Sequence, residues 1–553
     1  AQRVQLMTDM RAALVAEVDR TRAGGERTLT TGDTYPNRER NQRQDFFNTT
    51  QVDLPDVGPV SLNVKNIFSY QRSRGYVNGN FSGTPFDINA SAFGTRDGAY
   101  PTASNEAVYV GGKVLSGLGA YNRVFTNEFQ VNGNVWEGGL IFIAGYYYQN
   151  APATTDVGGS TNLNRTFQGV GTPNLGPISA TPFPLGGYNR ENAYFGQFTA
   201  DLGRVGLKGV HFTAGYRKTK TDTVQTSALS TIVYPAATLV PGAVSTSRTR
   251  GQGPGYTFSL DWKATDDLLI YATRRRGYKP GGINVAVGAS AVPGYVPIYS
   301  PESVIDTEVG FKWDVRPTDN VRGRLNVAAF KDDYSNIQRG VNAITPAGQN
   351  IAFTNNVAEA TIKGAEVEAL LLFGEHLTLS GSYAYLDAAY TKWTGADPLG
   401  AAQAGTNIDL SNNPFANAPK NKISFTVQYE TELAQSNGTL SGSVTVFSQD
   451  RSWFSDNARR YLEVYGNDPR VIFAGKSLKD TISDPGFTAA NARVDWRGVM
   501  GHENIDASLY VKNVTNEKYA YAGSVSLQSI GVTQTLFAEP RTYGLELTYR
   551  FGQ

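Results

Sequence analysis

The sequence predicts an all-β fold, an antiparallel transmembrane β-barrel with about 17 strands in this chain. Three observations carry that prediction. Apolar and polar residues alternate with period two along segment after segment, the period of a strand with one greasy face. Short turns and long loops then follow one another in rotation. Finally, the composition suits a sheet that meets lipid: glycine (59) and tyrosine (30) are abundant, while charged residues make up only 18% of 553.

The composition also excludes several alternatives. No run of about 18 apolar residues exists, so no transmembrane helix is expected. The mean hydropathy of −0.33 is too polar for a helical membrane protein, but a barrel needs an apolar residue only at every second position. There are no cysteines, which removes disulfides, cysteine-ligated metals and cysteine nucleophiles. A net charge of +1 gives no reason to expect nucleic acid.

The chain divides at about residue 42. Val4, Met7, Leu14 and Val18 recur at helical spacing and predict a helix over 3–20, followed by polar loop to 42. Residues 43–553 form the barrel portion. Tyr256, Phe258, Leu260 and Trp262 alternate with Thr257, Ser259, Asp261 and Lys263. Tyr543, Leu545, Leu547, Tyr549 and Phe551 alternate with Thr542, Gly544, Glu546, Thr548 and Arg550. This pattern places strands at 43–55, 57–74, 122–133, 135–149, 189–202, 208–226, 251–264, 267–279, 302–315, 318–334, 358–373, 375–391, 420–433, 439–457, 486–499, 504–519 and 541–551. Every second connection is short, for example Gly133-Asn134, Ala264 to Asp267 and Gly374. The others are long: about 75–121, 150–188, 227–250, 280–301, 335–357, 392–419, 458–485 and 520–540. Long structureless loops are uncommon in compact soluble domains, whereas outer-membrane barrels alternate short periplasmic turns with long external loops.

The strand count carries its own inference. Single-chain bacterial barrels close with an even number of strands, and open edges cannot face lipid. An odd count, with the first strand starting at the outer end and the last ending at the short-turn end, predicts that an odd number of strands is missing before residue 43.

Four stretches resemble TonB-dependent receptors. IYATRRRGYKPGGIN (Ile270–Asn284), ATIKGAEVEALL (Ala360–Leu371), LYVKNVTNEKYA (Leu509–Ala520) and RTYGLELTYRFGQ (Arg541–Gln553) follow the family's motifs in the family's order. The resemblance implies a 22-stranded barrel with a plugged lumen. It also implies a small-molecule ligand, an inner-membrane energy-coupling complex as partner, and a bacterial outer-membrane location with lipid and lipopolysaccharide around it. The plug and the energy-coupling box are not found here. The expectation is therefore a chain without plug and first strands, either as a fragment or as one part of a barrel completed by a further chain.

No catalytic set, cofactor site or metal site is read from the sequence, and no enzyme activity is expected. His211, His376 and His502 read as solvated residues at a strand start and two turns. The stretch Gly169 to Gly176 reads as external loop rather than phosphate loop. Tyr70, Tyr146, Tyr148, Trp313, Trp496 and Tyr549 read as interfacial girdles. With Leu269 and Tyr271 facing lipid, parity would put Arg274, Arg276 and Tyr278 on the lumen side near the outer rim. There the guanidiniums could hold a carboxylate or phosphate of an anionic ligand. The alternatives are pairing with Asp306 or Glu308, or contact with lipopolysaccharide. Loops 75–121 and 150–188 are the other candidates for ligand capture. The expected function is energy-coupled uptake of a large scarce ligand, such as an iron-siderophore chelate. A passive porin-like channel and a barrel subunit of a multi-chain assembly are the alternatives.

Overall fold

The computed structural model describes residues 38–78, 109–110, 113–114, 120–155, 178–179, 183–233, 238–284, 295–344, 350–398, 407–466, 477–526 and 532–551. The expected helix over 3–20, the Gly169 to Gly176 stretch and most of loops 75–121 and 150–188 lie outside the described residues.

Seventeen long strands follow the chain: β1 Arg38–Asp53, β2 Val60–Asn78, β3 Ala120–Val135, β4 Leu140–Thr155, β5 Phe183–Asp201 and β6 Val210–Val233. Then come β7 Thr238–Lys263, β8 Leu268–Lys279, β9 Glu302–Thr318, β10 Val321–Ile344, β11 Asn350–Phe373 and β12 Leu377–Ala396. The last are β13 Asn421–Glu432, β14 Thr439–Gln449, β15 Phe487–Arg497, β16 Ile505–Lys512 and β17 Thr542–Tyr549. Each pairs antiparallel with the next, and two short pieces, Ile178–Ser179 and Asn407–Asp409, join the same 19-stranded sheet. Among the described residues no ladder joins β1 to β17.

The register sorts side chains into two faces, because residues directly opposite each other in a ladder point the same way. Leu260, Ala272, Val309, Ala329 and Ala365 form one row across five strands. The next row, one residue away, is Ser259, Thr273, Glu308, Phe330 and Gly364. The first face is apolar yet exposed: Leu260 is 49% accessible, Trp262 46% and Val309 53%. Such a continuous apolar surface would be an aggregation hazard in water and is the expected outer face of a barrel in lipid. The second face is the lumen wall.

Glycine and aromatic residues interlock on that wall. Tyr271 lies across Gly310, Phe330 across Gly364 and Phe195 across Gly145, each directly opposite its partner. A Cβ on Gly364 would come within 2.3 Å of Phe330, so the ring covers the backbone only because the glycine has no side chain.

Two expected long loops turn out to be strand. The stretch 227–250 is mostly the ends of β6 and β7, and 335–357 mostly those of β10 and β11. A bilayer is crossed by about 9–11 residues of tilted strand, so strands of 24 and 26 residues stand well clear of it. Beyond lipid neither face must be apolar, so the alternation that reveals a strand fades. Two expected strands end early. The strand expected over 439–457 stops at Gln449, and that expected over 504–519 stops at Lys512. Asn513 and Asn516 take positive φ there, and the Asn513 side chain both donates to Glu517 O and accepts from Glu517 N, closing a turn.

The segment after β14 folds as a small cap at the long-loop end. Ser452–Trp453 pairs with Ser483–Asp484, enclosing helices α1 (Ala458–Tyr465) and α2 (Leu478–Thr481). Ala458, Tyr461, Leu478 and Ile482 form its buried centre, with Trp453 and Leu462 packed against it. Ser477 caps α2 by accepting from Asp480 N. The Asp480 carboxylate accepts from the Ser477 hydroxyl (2.8 Å) and from Arg451 (3.1 Å), and these contacts hold it below the usual carboxylate range.

Two outcomes are expected. Ile482→Ala removes a side chain with no accessible surface and should destabilise the cap by ~2–5 kcal/mol. Limited proteolysis should then cut within 458–482 while the barrel keeps its heat-resistant migration on gels. Asp480 has a lowered pKa, so its contribution is present above pH 3.8 and is lost as pH falls through its folded value. Pepsin should accordingly cut this cap faster as pH drops below 3.8, and Asp480→Asn should show the loosened behaviour at pH 7 with little further pH response.

Candidate functional site

Three clusters of polar and charged side chains lie on the lumen wall and toward its long-loop end. The first cluster lies on β8–β10. Arg275 pairs with Asp306 at 2.6 Å and Glu308 at 2.9 Å, and the Tyr271 hydroxyl donates to Glu308 at 2.7 Å. Asp332 stands directly opposite Asp306. The arrangement is one guanidinium set among three carboxylates.

This corrects the expected facing of the arginine triplet. Arg274 is opposite Phe258 and Thr307, and Arg276 is opposite Tyr256 and Ile305. Both therefore belong to the outward row of Ile270 and Trp262, while Leu269 and Tyr271 face the lumen. The sequence is ambiguous here because Leu268, Leu269, Ile270 and Tyr271 are all apolar or aromatic, so either phase fits. Counting from Trp262 or Trp313 across the ladder settles the phase and selects Arg275. The pairing with Asp306 and Glu308 belongs to Arg275 rather than to its neighbours.

Tyr278 does reach the lumen side, by a different route from parity. The β7–β8 ladder begins at Tyr256 opposite Arg276, so Tyr278 lies past its end. Its ring lies over Gly253, where a Cβ would come within 2.1 Å, and its hydroxyl approaches Gly251 beside Thr221. Gly253 and Gly251 share the lumenal phase of Ser259.

A second cluster adjoins it. Arg217 donates to Glu191 (3.0 Å) and to Thr219 (3.2 Å) and stacks its guanidinium near the rings of Tyr147 and Phe195. Glu191 and Thr221 are directly opposite in the β5–β6 ladder, which joins this cluster to Tyr278.

The third cluster covers part of the mouth. Arg339 pairs with Asp456 at 3.3 Å and lies over both Tyr390 and Phe415. Tyr390 and Phe415 stack at 4.1 Å, and Tyr390 also packs on Trp393. Ile337, Ala358, Ala360, Trp393 and Leu410 bury this aromatic group. Asp456 also accepts from Ala416 N at 2.7 Å, and Arg460 binds Asp397 through two nitrogens. The Asp397 carboxylate beside it raises the Arg460 guanidinium pKa. These contacts tie β10, β12 and the segments after β12 and β14 into one unit. Sequence reading missed them because Arg339 and Asp456 are far apart in the chain and share no local pattern.

The histidines take no part in these clusters. His211 Nδ1 is 3.0 Å from Asp261 Oδ2, His376 Nδ1 is 2.8 Å from Glu430 O, and His502 is at the turn before β16. Among the described residues no group of three or more His, Asp or Glu is arranged to hold a metal ion.

With this wall and mouth defined, likeness to known proteins can be placed. A probable TonB-dependent siderophore receptor, PiuA of Acinetobacter baumannii, is 22% identical over 302 residues, which is 53% of this chain and 34% of that protein. The ferric yersiniabactin uptake receptor FyuA of Yersinia pestis superposes with a TM-score of 0.58 at 13% identity, covering 93% of this chain and 62% of that one. The PiuA structure superposes with a TM-score of 0.57 at 16% identity, covering 93% and 65%. The chain thus spans about a third of the curated relative and less than two thirds of these structures, and the structural likenesses are ones of fold. The family model described as TonB dependent receptor-like, beta-barrel, matches residues 9–516, and the chain belongs to that family.

Proposed function

We propose that this chain supplies the barrel of a bacterial outer-membrane receptor-transporter that takes up a large, scarce ligand, with an iron–siderophore chelate as the leading class. The observation that carries this reading is the combination of an apolar outward row with a lumen wall of paired charges, capped by folded segments at one end. A passive pore needs a wet lumen but has no use for a structured aromatic cap at its mouth. The names of similar proteins point the same way, since they describe ferric yersiniabactin uptake and siderophore reception. By family resemblance, energy would come from an inner-membrane complex acting on a plug, and membrane lipid and lipopolysaccharide would surround the barrel.

Within this reading the ligand meets the mouth first. Half-buried Arg339 and Phe415 are the parts of this group that a ligand can reach, with the Arg339 charge shared with Asp456 and Tyr390 buried behind them. Tyr278 and Arg275 follow on the lumen wall. Arg274 and Arg276, on the outward face, are not part of the ligand path.

Uptake by cells expressing the full gene product tests this. Ferric chelate should accumulate in iron-starved cells and stop when a protonophore collapses the inner-membrane gradient. Protonophore-insensitive entry, with large steady conductance in planar bilayers, would favour a passive channel instead. Phe415→Ala should weaken chelate binding roughly 5- to 30-fold, the range of one ring or cation–π contact of ~1–2 kcal/mol. Arg274→Ala should leave affinity within about twofold, since it removes a contact outside the path. Equal losses in both variants, measured by tryptophan quenching, would overturn this assignment of the ligand path.

A further inference from the structure

The mouth carries charge, yet each charge is answered by a named partner. Arg339 is the cation that a ligand meets first, and Asp456 stands 3.3 Å from it. The two side chains are 25% and 23% accessible, so both are half-buried. Charges placed in this way are screened less by salt than surface charges, and they act strongly on whatever enters. Asp456 is not free to swing aside. Its Oδ1 accepts from Ala416 N at 2.7 Å while Oδ2 faces Arg339 Nη1. The counter-charge is therefore part of the fold, on the segment after β14, and is in place before any ligand arrives.

Arg339 is also poorly placed to grip an oxyanion. A guanidinium binds a carboxylate or phosphate in bidentate fashion along one of two edges, Nε with Nη2 or Nη1 with Nη2. Here Nε is buried without a hydrogen-bond partner, which closes the first edge. Nη1 faces Asp456, which sets a carboxylate beside the second. The same balance holds farther along the path. Arg460 binds Asp397 through two nitrogens, and Arg217 is paired with Glu191 at 3.0 Å. Arg275 lies 2.6 Å from Asp306 and 2.9 Å from Glu308. Asp332, opposite Asp306, adds a carboxylate without adding a cation. An anionic ligand would thus meet a carboxylate beside each of these four arginines.

We infer that Asp456 sets the charge selectivity of the mouth by neutralising Arg339, and that the ligand is a ferric chelate without net negative charge. Specificity is a difference of affinities, and a fixed like charge acts against the wrong ligand more than it helps the right one. A neutral chelate loses nothing beside Asp456 and can lay its apolar periphery on the Phe415 ring. An anionic chelate must stand against the Asp456 carboxylate to reach the same ring. The inference rests on the proposed uptake of an iron chelate. It adds the charge class of that chelate and the residue that selects it.

The test uses the full-length protein in detergent, with binding read by tryptophan quenching. The probes are a hexadentate ferric tris-hydroxamate, which is neutral, and a hexadentate ferric tris-catecholate, which is trianionic. The unmodified protein should bind the tris-hydroxamate more tightly by about tenfold or more. Asp456→Asn keeps an oxygen for Ala416 N and removes the charge. It should move the ratio of the two affinities roughly tenfold toward the tris-catecholate. Adding Arg339→Gln should cancel that gain, because the uncovered cation is then gone. Asp456→Glu keeps the charge and should hold the ratio within about threefold of the unmodified protein. A misfolded fraction lowers the binding of both probes alike, so the ratio separates selectivity from loss of structure. Equal or tighter binding of the tris-catecholate by the unmodified protein, or an unmoved ratio in Asp456→Asn, would overturn the inference and leave the uptake reading in place. Binding of neither probe would overturn it too, and protonophore-sensitive chelate uptake by the same cells then shows whether the uptake reading falls with it.

Discussion

Every feature of this molecule depends on one backbone constraint: a sheet that meets lipid on one face must satisfy its amides within the ladder. Lipid offers no hydrogen-bond partner, so each strand has to pair with both neighbours along the whole crossing. The result is an uninterrupted antiparallel meander in chain order from β1 to β17. A meander in turn fixes the facing of every residue through its register. Once Trp262 faces outward, the ladder determines that Ile270 and Phe311 do too, and that Asp261, Tyr271 and Lys312 face the lumen. Fold and site are thereby the same fact, since the lumen chemistry is whatever the second phase of each strand carries.

The glycine content follows from this geometry. A curved wall of side chains crowds on its concave face, and large rings fit there only where the opposing residue is small. Tyr271 over Gly310 and Phe330 over Gly364 show the solution, and Tyr510 over Gly544 repeats it near the last strand. In the first of these the ring also delivers its hydroxyl to Glu308, so the packing device positions part of the polar network. Replacing the glycine would therefore disturb charge placement as well as packing.

Legibility in the sequence tracks the presence of lipid. Where a strand crosses it, one apolar residue in two is compulsory and the period is plain, which is why β9, β13 and β17 were readable nearly to the residue. Past the membrane that demand ends. The outer end of β6 and the outer half of β7, rich in Thr, Ser and Val, look like loop because no face of them must be apolar. The mouth was hidden for a different reason. Arg339, Tyr390, Phe415 and Asp456 come from four separate stretches, and nothing in any one of them signals the others. Phase was the remaining gap: four consecutive apolar or aromatic residues, Leu268 to Tyr271, fit either facing, and a one-residue choice there reversed the whole arginine triplet.

That triplet shows how much chemistry a strand can divide between its faces. Arg275 is committed inward to Asp306 and Glu308, which stand on the neighbouring strand. Arg274 and Arg276 point the other way, into an environment with no unengaged acid among the described residues. Three identical side chains in succession thus meet three carboxylates on one side and a membrane surface on the other. A charge left uncompensated beside lipid is costly unless something anionic arrives, whereas the same charge in the lumen is neutralised within the fold. The inward arginine therefore belongs to the stability and shape of the wall, and the outward two belong to whatever the membrane supplies.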